Sequence, residues 1–282
     1  MTGSSANSSH CPIKVAFFDL DGTIVNRAGI ITPATLAAVD RLRNHGVHVA
    51  AATGRAYFGA QTLLRTLKIT EPSLFFSGSL IINPKDEQVL FEAPLEYAEL
   101  DLLIAAAQQL DLYLELYTRD NYYVEKDQPA IRQMHSFYLG RPAQFHNLRE
   151  LARRETVLKA VTITNSAERV ALQYELQAGI PQLSYSMSKG ATHPEIVFDN
   201  ITNRAAAREH GLEILLQYFQ AGREEMAAFG DAEADIPFIA AARYGVAMGN
   251  AAESVKKAAK LTTASVEADG AAKAIELILN GF

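Results

Sequence analysis

Residues 14–23 read KVAFFDLDGT, a short apolar run that ends in two acids. The run is continuously apolar and too short for a helix, which is typical of a strand buried on both faces of a parallel sheet. Side chains alternate along a strand, so Asp19 and Asp21 are expected on the same side. They follow the carboxyl end of the strand, where open α/β sheets bind ligands. This stretch therefore predicts an α/β sheet with an acidic site at its edge.

The elements that follow have the alternating order of a doubly wound sheet. The pair Thr32-Pro33 predicts a helix start, because proline at the first helical position loses no hydrogen bond, and Gly46 predicts the helix end. A second buried strand is predicted at 47–52, followed by a helix and by a third apolar run at 73–76. We therefore expect a core formed by a doubly wound, mostly parallel, Rossmann-like sheet.

This order is interrupted after about residue 82. Five predicted strands with partial alternation, the first at 88–93, are mixed there with three predicted helices. The α/β pattern resumes after the interruption, beginning with a strand predicted at 195–198. The change of pattern indicates a second domain inserted into the first.

We expect the inserted domain, an α+β cap, over 83–188, and the α/β core over 13–82 and 189–282. The chain would then cross between the two near Ile82–Pro84 and near Ser188–Gly190, so both places are candidate hinges.

Composition excludes several classes of protein. The chain has 282 residues, 49% apolar and 21% charged, so it can bury a full core. Its 26 basic and 32 acidic side chains give a net charge of −6, which provides no electrostatic basis for binding nucleic acid or anionic membranes. Cys11 is the single cysteine, which excludes an internal disulfide. With no apolar run of about 18 residues, we expect a cytoplasmic protein whose first twelve residues are a disordered tail. The oligomeric state stays open.

Further polar side chains follow other predicted strands of the core. Thr53 follows the second strand, and Asp231 follows a strand predicted at 226–229, with Asp235 one helical turn later. Several carboxylates at one sheet edge would repel each other without a cation. Oxygen ligands of this kind suit Mg²⁺, so the sequence predicts a magnesium site.

Four motifs, in this order, resemble those of the haloacid dehalogenase-like phosphatases, within them the Cof-type subgroup with a large α/β cap. They are DLDGT at 19–23, TGR at 53–55, GDAEAD at 230–235 and GVAMGNA at 245–251. The resemblance covers nearly the whole chain after the tail, and a cap-sized insertion separates the second motif from the third.

The resemblance implies a role for each matching residue. Asp19 would attack phosphorus and form an aspartyl-phosphate. Asp21 would act as general acid and base, and its backbone carbonyl would bind the metal. Thr53 would donate its hydroxyl to a phosphate oxygen. The remaining assignments are metal binding by Asp19, Asp21, Asp231 and Asp235, and substrate binding by Gly22, Gly54 and Arg55.

The sequence departs from the family pattern at two places. The family has a lysine near the start of the helix after the cap, but no lysine lies between Lys189 and Lys256. We expect Arg208 to replace this lysine, with Arg204 as the second candidate. Asn203 also lies near the expected position, but it cannot supply the charge. The second departure is Ala234, where the family usually has an asparagine that contacts phosphate.

The expected function is a Mg²⁺-dependent phosphatase of small phosphorylated metabolites, with sugar phosphates as the expected class. Two alternatives stay open. The two departures are compatible with a catalytically weak or silent protein that binds phosphorylated metabolites, and the same aspartyl-phosphate would also serve a phosphomutase. His135 and Tyr138 lie on a predicted cap helix, where we expect packing roles, with contact to substrate as the alternative. The sequence does not name the substrate.

Overall fold

A computed structural model describes residues 13–189 and 195–281 of the chain. The predicted disordered tail and the predicted hinge position Gly190 lie outside these ranges. Within them the strands are β1 (Val15–Phe18), β2 (His48–Ala51), β3 (Ser73–Phe75), β4 (Leu80–Ile82), β5 (Val89–Glu92), β6 (Tyr113–Tyr117), β7 (Tyr122–Val124), β8 (Gln144–Phe145), β9 (Lys159–Thr164), β10 (Leu183–Lys189), β11 (Val197–Asn203), β12 (Met226–Gly230), β13 (Tyr244–Ala247) and β14 (Leu261–Thr262). The helices are α1 (Pro33–Asn44), α2 (Tyr57–Leu67), α3 (Tyr97–Gln109), α4 (Pro129–Leu139), α5 (Leu148–Ala152), α6 (Ala167–Gly179), α7 (Arg208–Phe219), α8 (Ile236–Ala241), α9 (Glu253–Ala258) and α10 (Gly270–Leu279).

The central sheet has five strands in the order β14-β13-β12-β1-β2, and every pairing in it is parallel. Both of its faces are covered, which explains the continuous apolar run of β1. Ala16 and Phe18 belong to the apolar cluster that includes residues of α1 and α10. Val15 and Phe17 face the other way, into the cluster that includes residues of α7 and α8. The predicted doubly wound core is therefore confirmed.

A small antiparallel sheet, β3-β4-β5, continues the central sheet beyond β2. One parallel bridge, between Ala52 and Leu74, joins the two sheets. The strand at Val89–Glu92 was predicted as part of the cap, but it pairs with β4 at this edge of the core. Its Phe91 ring lies edge-on to His210 of α7, with 5.1 Å between the ring centroids.

A third sheet has six strands in the order β10-β11-β9-β6-β7-β8. Its strand β11 (Val197–Asn203) overlaps the last two residues of the strand predicted at 195–198, which we assigned to the core. In the structure β11 pairs antiparallel with both β10 and β9 and completes the six-stranded sheet, not the central sheet. Helices α3, α5 and α6 pack on one face of this sheet.

The two crossings between these regions lie side by side. Asn203 Nδ2 donates a hydrogen bond to the carbonyl of Pro94 across 2.8 Å. Just after the first crossing, Leu95 N bonds to Val157 O, next to the six-stranded sheet. The inserted domain stays our proposal, but its boundaries move from 83 and 188 to about 95 and 203. Below, "the cap" means residues 95–203, and "the core" means the other described residues.

Candidate active site

The carboxyl ends of three neighbouring core strands bring the predicted catalytic residues together. Asp19 follows β1, and its amide still bonds to Phe229 O of β12 across 3.0 Å. Thr53 follows β2, and its amide bonds to Leu74 O across 2.9 Å. Both side chains are buried. Because β1 lies between β2 and β12, Asp19 occupies the centre of this edge.

Three carboxylates form a compact cluster at this edge. One oxygen from each of Asp19, Asp231 and Asp235 lies within 4.8 Å of the other two. Burial and the charge of Asp235 raise the pKa of Asp231 to about 7. Burial, followed by Asp235 and Asp231, holds the pKa of Asp19 well above its usual range. The cluster is therefore electrostatically strained on its own, and its hard oxygen donors suit a divalent cation such as Mg²⁺.

Asp231 is held in place by neighbours on two loops. Thr23 Oγ1 donates to Asp231 Oδ1 across 3.2 Å, and Asn250 Nδ2 donates to Asp231 Oδ2 across 3.1 Å. Asn250 Nδ2 also lies 2.9 Å from the carbonyl of Gly22. Gly22 has a φ of +78°, and a Cβ there would lie 2.3 Å from Asp231 Oδ2. The predicted substrate-binding role of Gly22 is not tested by this contact, which instead explains why a glycine is needed.

Asp235 links this cluster to the arginine expected to replace the family's lysine. Its Oδ2 accepts from the amides of Asp231 and Ala232, at 3.1 and 3.0 Å. Its Oδ1 accepts from Arg208 Nη1 across 2.6 Å, and both side chains are buried. Arg208 is the first residue of α7. The other two candidates lie elsewhere: Arg204 bonds to Pro181 O at the surface, and Asn203 bonds at the crossing.

Asp21 is bound separately from the carboxylate cluster. Arg55 donates two hydrogen bonds to Asp21, from Nε to Oδ2 and from Nη2 to Oδ1, both 2.6 Å long. Tyr138 Oη, from cap helix α4, donates to the same Oδ2 across 2.5 Å. The Arg55 guanidinium also lies 4.0 Å from the centre of the Tyr138 ring. The expectation that Tyr138 only packs is therefore wrong, since its hydroxyl joins the cap to the predicted acid–base residue.

Comparisons with known proteins agree with this geometry. The sequence profile of the haloacid dehalogenase-like hydrolases matches residues 16–275. The chain belongs to this family. A "Putative phosphatase" of Haemophilus influenzae is 26% identical over 269 residues, covering 93% of this chain and 97% of the relative. The 5-amino-6-(5-phospho-D-ribitylamino)uracil phosphatase YitU of Bacillus subtilis is 25% identical, covering 90% and 93%.

A solved structure shows the same fold. A haloacid dehalogenase-like hydrolase from Bacteroides thetaiotaomicron superposes with a TM-score of 0.81 at 26% identity, covering 94% of this chain and 99% of that one. The predicted family, fold class and enzyme class, a phosphatase of this superfamily, are confirmed. No helix among the described residues is long and apolar enough to cross a membrane. The cytoplasmic location stays a prediction.

In this haloacid dehalogenase-like hydrolase, one cap residue at the site was not predicted from the sequence. Lys159, the first residue of β9, donates from Nζ to the carbonyl of Gly54 across 3.1 Å. The alternation in KAVTIT places Lys159 on the same strand face as Val161 and Ile163. That alternation was an available signal that the lysine is buried, but it does not show what the lysine contacts.

A buried polar group lies next to this lysine on the cap. Glu115 Oε2 accepts from Tyr117 Oη across 2.5 Å, and His135 Nδ1 lies 2.8 Å from the same oxygen. His135 is therefore more than the packing residue that we expected. Burial and the nearby Arg208 lower the pKa of Lys159 to about 7, although the charge of Glu115 opposes that shift.

Proposed function

We propose that this protein is a Mg²⁺-dependent phosphatase that hydrolyses small phosphorylated metabolites, with sugar phosphates as the expected class, through an aspartyl-phosphate on Asp19. The observation that carries this proposal is the cluster of Asp19, Asp231 and Asp235 at the sheet edge, next to the buried arginine Arg208. A nucleophilic carboxylate, metal-binding carboxylates and a cation together form the set that phosphoryl transfer needs.

The chemistry is divided between two carboxylates. In the first step an oxygen of Asp19 forms a bond to phosphorus while the bond from phosphorus to the alcohol oxygen breaks, and Asp21 gives its proton to that oxygen. In the second step water attacks the phosphorus of the aspartyl-phosphate, Asp21 takes the proton of that water, and Asp19 is released with inorganic phosphate. Thr53 would bind a phosphate oxygen through its hydroxyl.

The two hydrogen bonds from Arg55 orient the Asp21 carboxylate for both steps. The Tyr138 hydroxyl occupies one of its oxygens. All three hydrogen bonds are donated to the Asp21 carboxylate, so a leaving-group oxygen would replace the Tyr138 hydroxyl at Oδ2 when Asp21 acts as the acid. Substrate entry is therefore coupled to a movement of cap helix α4, which fits a cap that opens and closes.

Asp19, Asp231 and the backbone carbonyl of Asp21 would hold the metal ion, with Asp235 either binding it directly or holding Asp231. When bound, Mg²⁺ would neutralise the carboxylates and stabilise negative charge on the phosphoryl oxygens. Without a cation, Asp19 would be a poorer nucleophile, because the same cluster raises its pKa.

A small substrate is supported by the position of the cap. Tyr138 and Lys159 of the cap both contact the core site, so a substrate would be enclosed between cap and core, which favours a small leaving group. The relative from Bacillus subtilis is named for a phosphorylated ribitylaminouracil, which is such a molecule.

A phosphate-release assay over a panel of phosphorylated metabolites tests the proposal. We expect release with Mg²⁺, none with excess EDTA, and none from Asp19→Asn. Asp19→Asn activity within about tenfold of wild type, a barrier change below about 1.4 kcal/mol, would exclude Asp19 as nucleophile. Transfer to a second sugar hydroxyl without phosphate release would instead indicate a phosphomutase. Binding of phosphorylated metabolites without any turnover would indicate the silent protein that Ala234 leaves open.

A further inference from the structure

Lys159 is a cap residue whose charged end lies at the core site. The residue is 7% exposed, and its ammonium donates to Gly54 O, in the turn that carries Thr53. The neighbouring residues on its strand face, Val161 and Ile163, belong to an apolar cluster that includes core residues. The lysine therefore lies where the cap closes over the phosphate-binding turn.

The surrounding protein does not explain why a charge is buried there. Across 13–189 and 195–281, Lys159 Nζ forms no ion pair; it donates to Gly54 O and lies 5.9 Å from the centre of the Tyr117 ring. Glu115 is the one acid whose charge favours the ammonium; its Oε2 contacts Tyr117 and His135, and its Oε1 is buried without a hydrogen-bond partner among the described residues. An ammonium has three donors, and burying it with one acceptor is unfavourable. The arrangement leaves two donors for a ligand.

A second cation faces the same turn. A Cβ on Gly54 would lie 4.0 Å from Arg208 Nη2, and Arg208 Nε is buried without a hydrogen-bond partner. After burial, the proximity of Arg208 is the main cause that lowers the pKa of Lys159. Two buried cations that repel each other, with donors left over on both, form a site for an anion.

We propose that Lys159 binds the phosphoryl group of the substrate from the cap, and that Lys159 and Arg208 together form a two-cation phosphate site at the Gly54 turn. The inference rests on the proposed phosphatase function. It explains how the core works without a lysine between 189 and 256, because the missing ammonium comes from the cap. It also makes the phosphate site complete only when the cap is closed.

Binding of inorganic phosphate tests this proposal without requiring turnover. Isothermal titration calorimetry with Mg²⁺ present would compare wild type, Lys159→Met, Lys159→Arg and the control Lys126→Met, an exposed cap lysine. Methionine has a similar length and no charge, so the melting temperature should stay the same or rise. We expect phosphate affinity to fall about 10- to 100-fold in Lys159→Met, to be largely kept in Lys159→Arg, and to be unchanged in Lys126→Met.

The outcomes separate this inference from the proposed function. Phosphate affinity and kcat/KM of Lys159→Met within twofold of wild type would overturn it and leave Lys159 as a cap–core contact. If Lys159→Met does not fold, phosphate binding by Lys159→Arg tests the proposal instead. A loss of phosphate affinity in Lys159→Arg as large as that in Arg208→Lys, or larger, would contradict the need for a positive charge at position 159. A wild type that releases no phosphate from any substrate, yet binds phosphate through Lys159, would contradict the proposed function alone.

Discussion

Arg208 Nη1 donates to Asp235 Oδ1 across 2.6 Å, and this ion pair joins the start of α7 to the turn after β12. The pair has two consequences. Asp235 holds the amides that orient Asp231, so the arginine supports the proposed metal site indirectly. The buried Arg208 Nε has no partner in the described part of the chain and remains available for a substrate oxygen.

Arg208→Ala should therefore lower kcat/KM by about 10²-fold or more, the size seen when one group that stabilises transition-state charge is removed. It should also lower stability by about 3–5 kcal/mol, because Asp235 would be left as an unpaired buried charge. Arg208→Lys should keep part of the activity, since the charge survives but the planar guanidinium does not. Steady-state kinetics and thermal melts measure both effects.

Arg204→Ala is the matched control, since Arg204 lies at the surface and bonds to Pro181 O. Its kcat/KM should stay within about twofold of wild type. A dead Arg204→Ala beside an active Arg208→Ala would mean that the assignment of Arg208 is wrong.

Gly22→Ala should abolish Mg²⁺ binding and activity. Its added Cβ would lie 2.3 Å from Asp231 Oδ2, and the backbone φ of +78° is unfavourable for alanine. Gly29→Ala has the same unfavourable backbone conformation, with a φ of +75°, but no atom would lie within 4 Å of its Cβ. Both variants should lose about 1–2 kcal/mol from backbone strain, so the difference between them isolates the contact with Asp231. Equal activity of the two variants would contradict this view of the site.

Magnesium should stabilise the folded protein measurably. At a concentration about 100 times its dissociation constant, a bound ion adds about 2.7 kcal/mol, which corresponds to roughly 5 °C or more in melting temperature. The increase should disappear with EDTA and in Asp231→Asn. It should persist in Glu233→Gln, whose side chain bonds to Ser254 and is outside the carboxylate cluster. A normal increase in Asp231→Asn would remove Asp231 from the proposed ligands.

The sequence predicted the elements of the core well, because local signals decide them. The strand at 15–18 is apolar on both faces, and Thr32 caps α1 by accepting from Thr35 N. Strands were also predicted at β5 and at the start of β11, but each pairs in a different sheet from the one expected. Periodicity indicates that a segment is extended, and it does not identify the neighbouring strand.

The site was predictable as far as its residues belong to local motifs. The strand-end positions of Asp19, Thr53 and Asp231 follow from the parallel order of their strands. The contacts of Tyr138 and Lys159 were missed because they depend on how the cap docks against the core, which no short motif encodes. Arg55 binds Asp21 and the carbonyl of Tyr138 in the cap, and its expected contact with substrate stays a prediction.

A buried acid on β11 predicts how stability depends on pH. Asp199, on β11, accepts one hydrogen bond from Gln177, and its Oδ1 has no partner among the described residues. Burial raises its pKa to about 6, despite the bond from Gln177. The nearby titratable group is Tyr185 on β10, whose own pKa is raised by burial and by Asp199.

Because the folded pKa of Asp199 is above its unfolded value of about 3.9, the folded state binds this proton more tightly. Its contribution to stability is complete below about pH 4 and is lost as pH rises through 6. Asp199→Asn, neutral at every pH and able to keep the Gln177 bond, should be more stable than wild type by about 2–3 kcal/mol at pH 8. The advantage should shrink to near zero at pH 4. Urea melts at four pH values, with exposed Asp120→Asn as control, measure this. A pH-independent difference, or a less stable Asp199→Asn at pH 8, would show that Asp199 is not a buried charge at neutral pH.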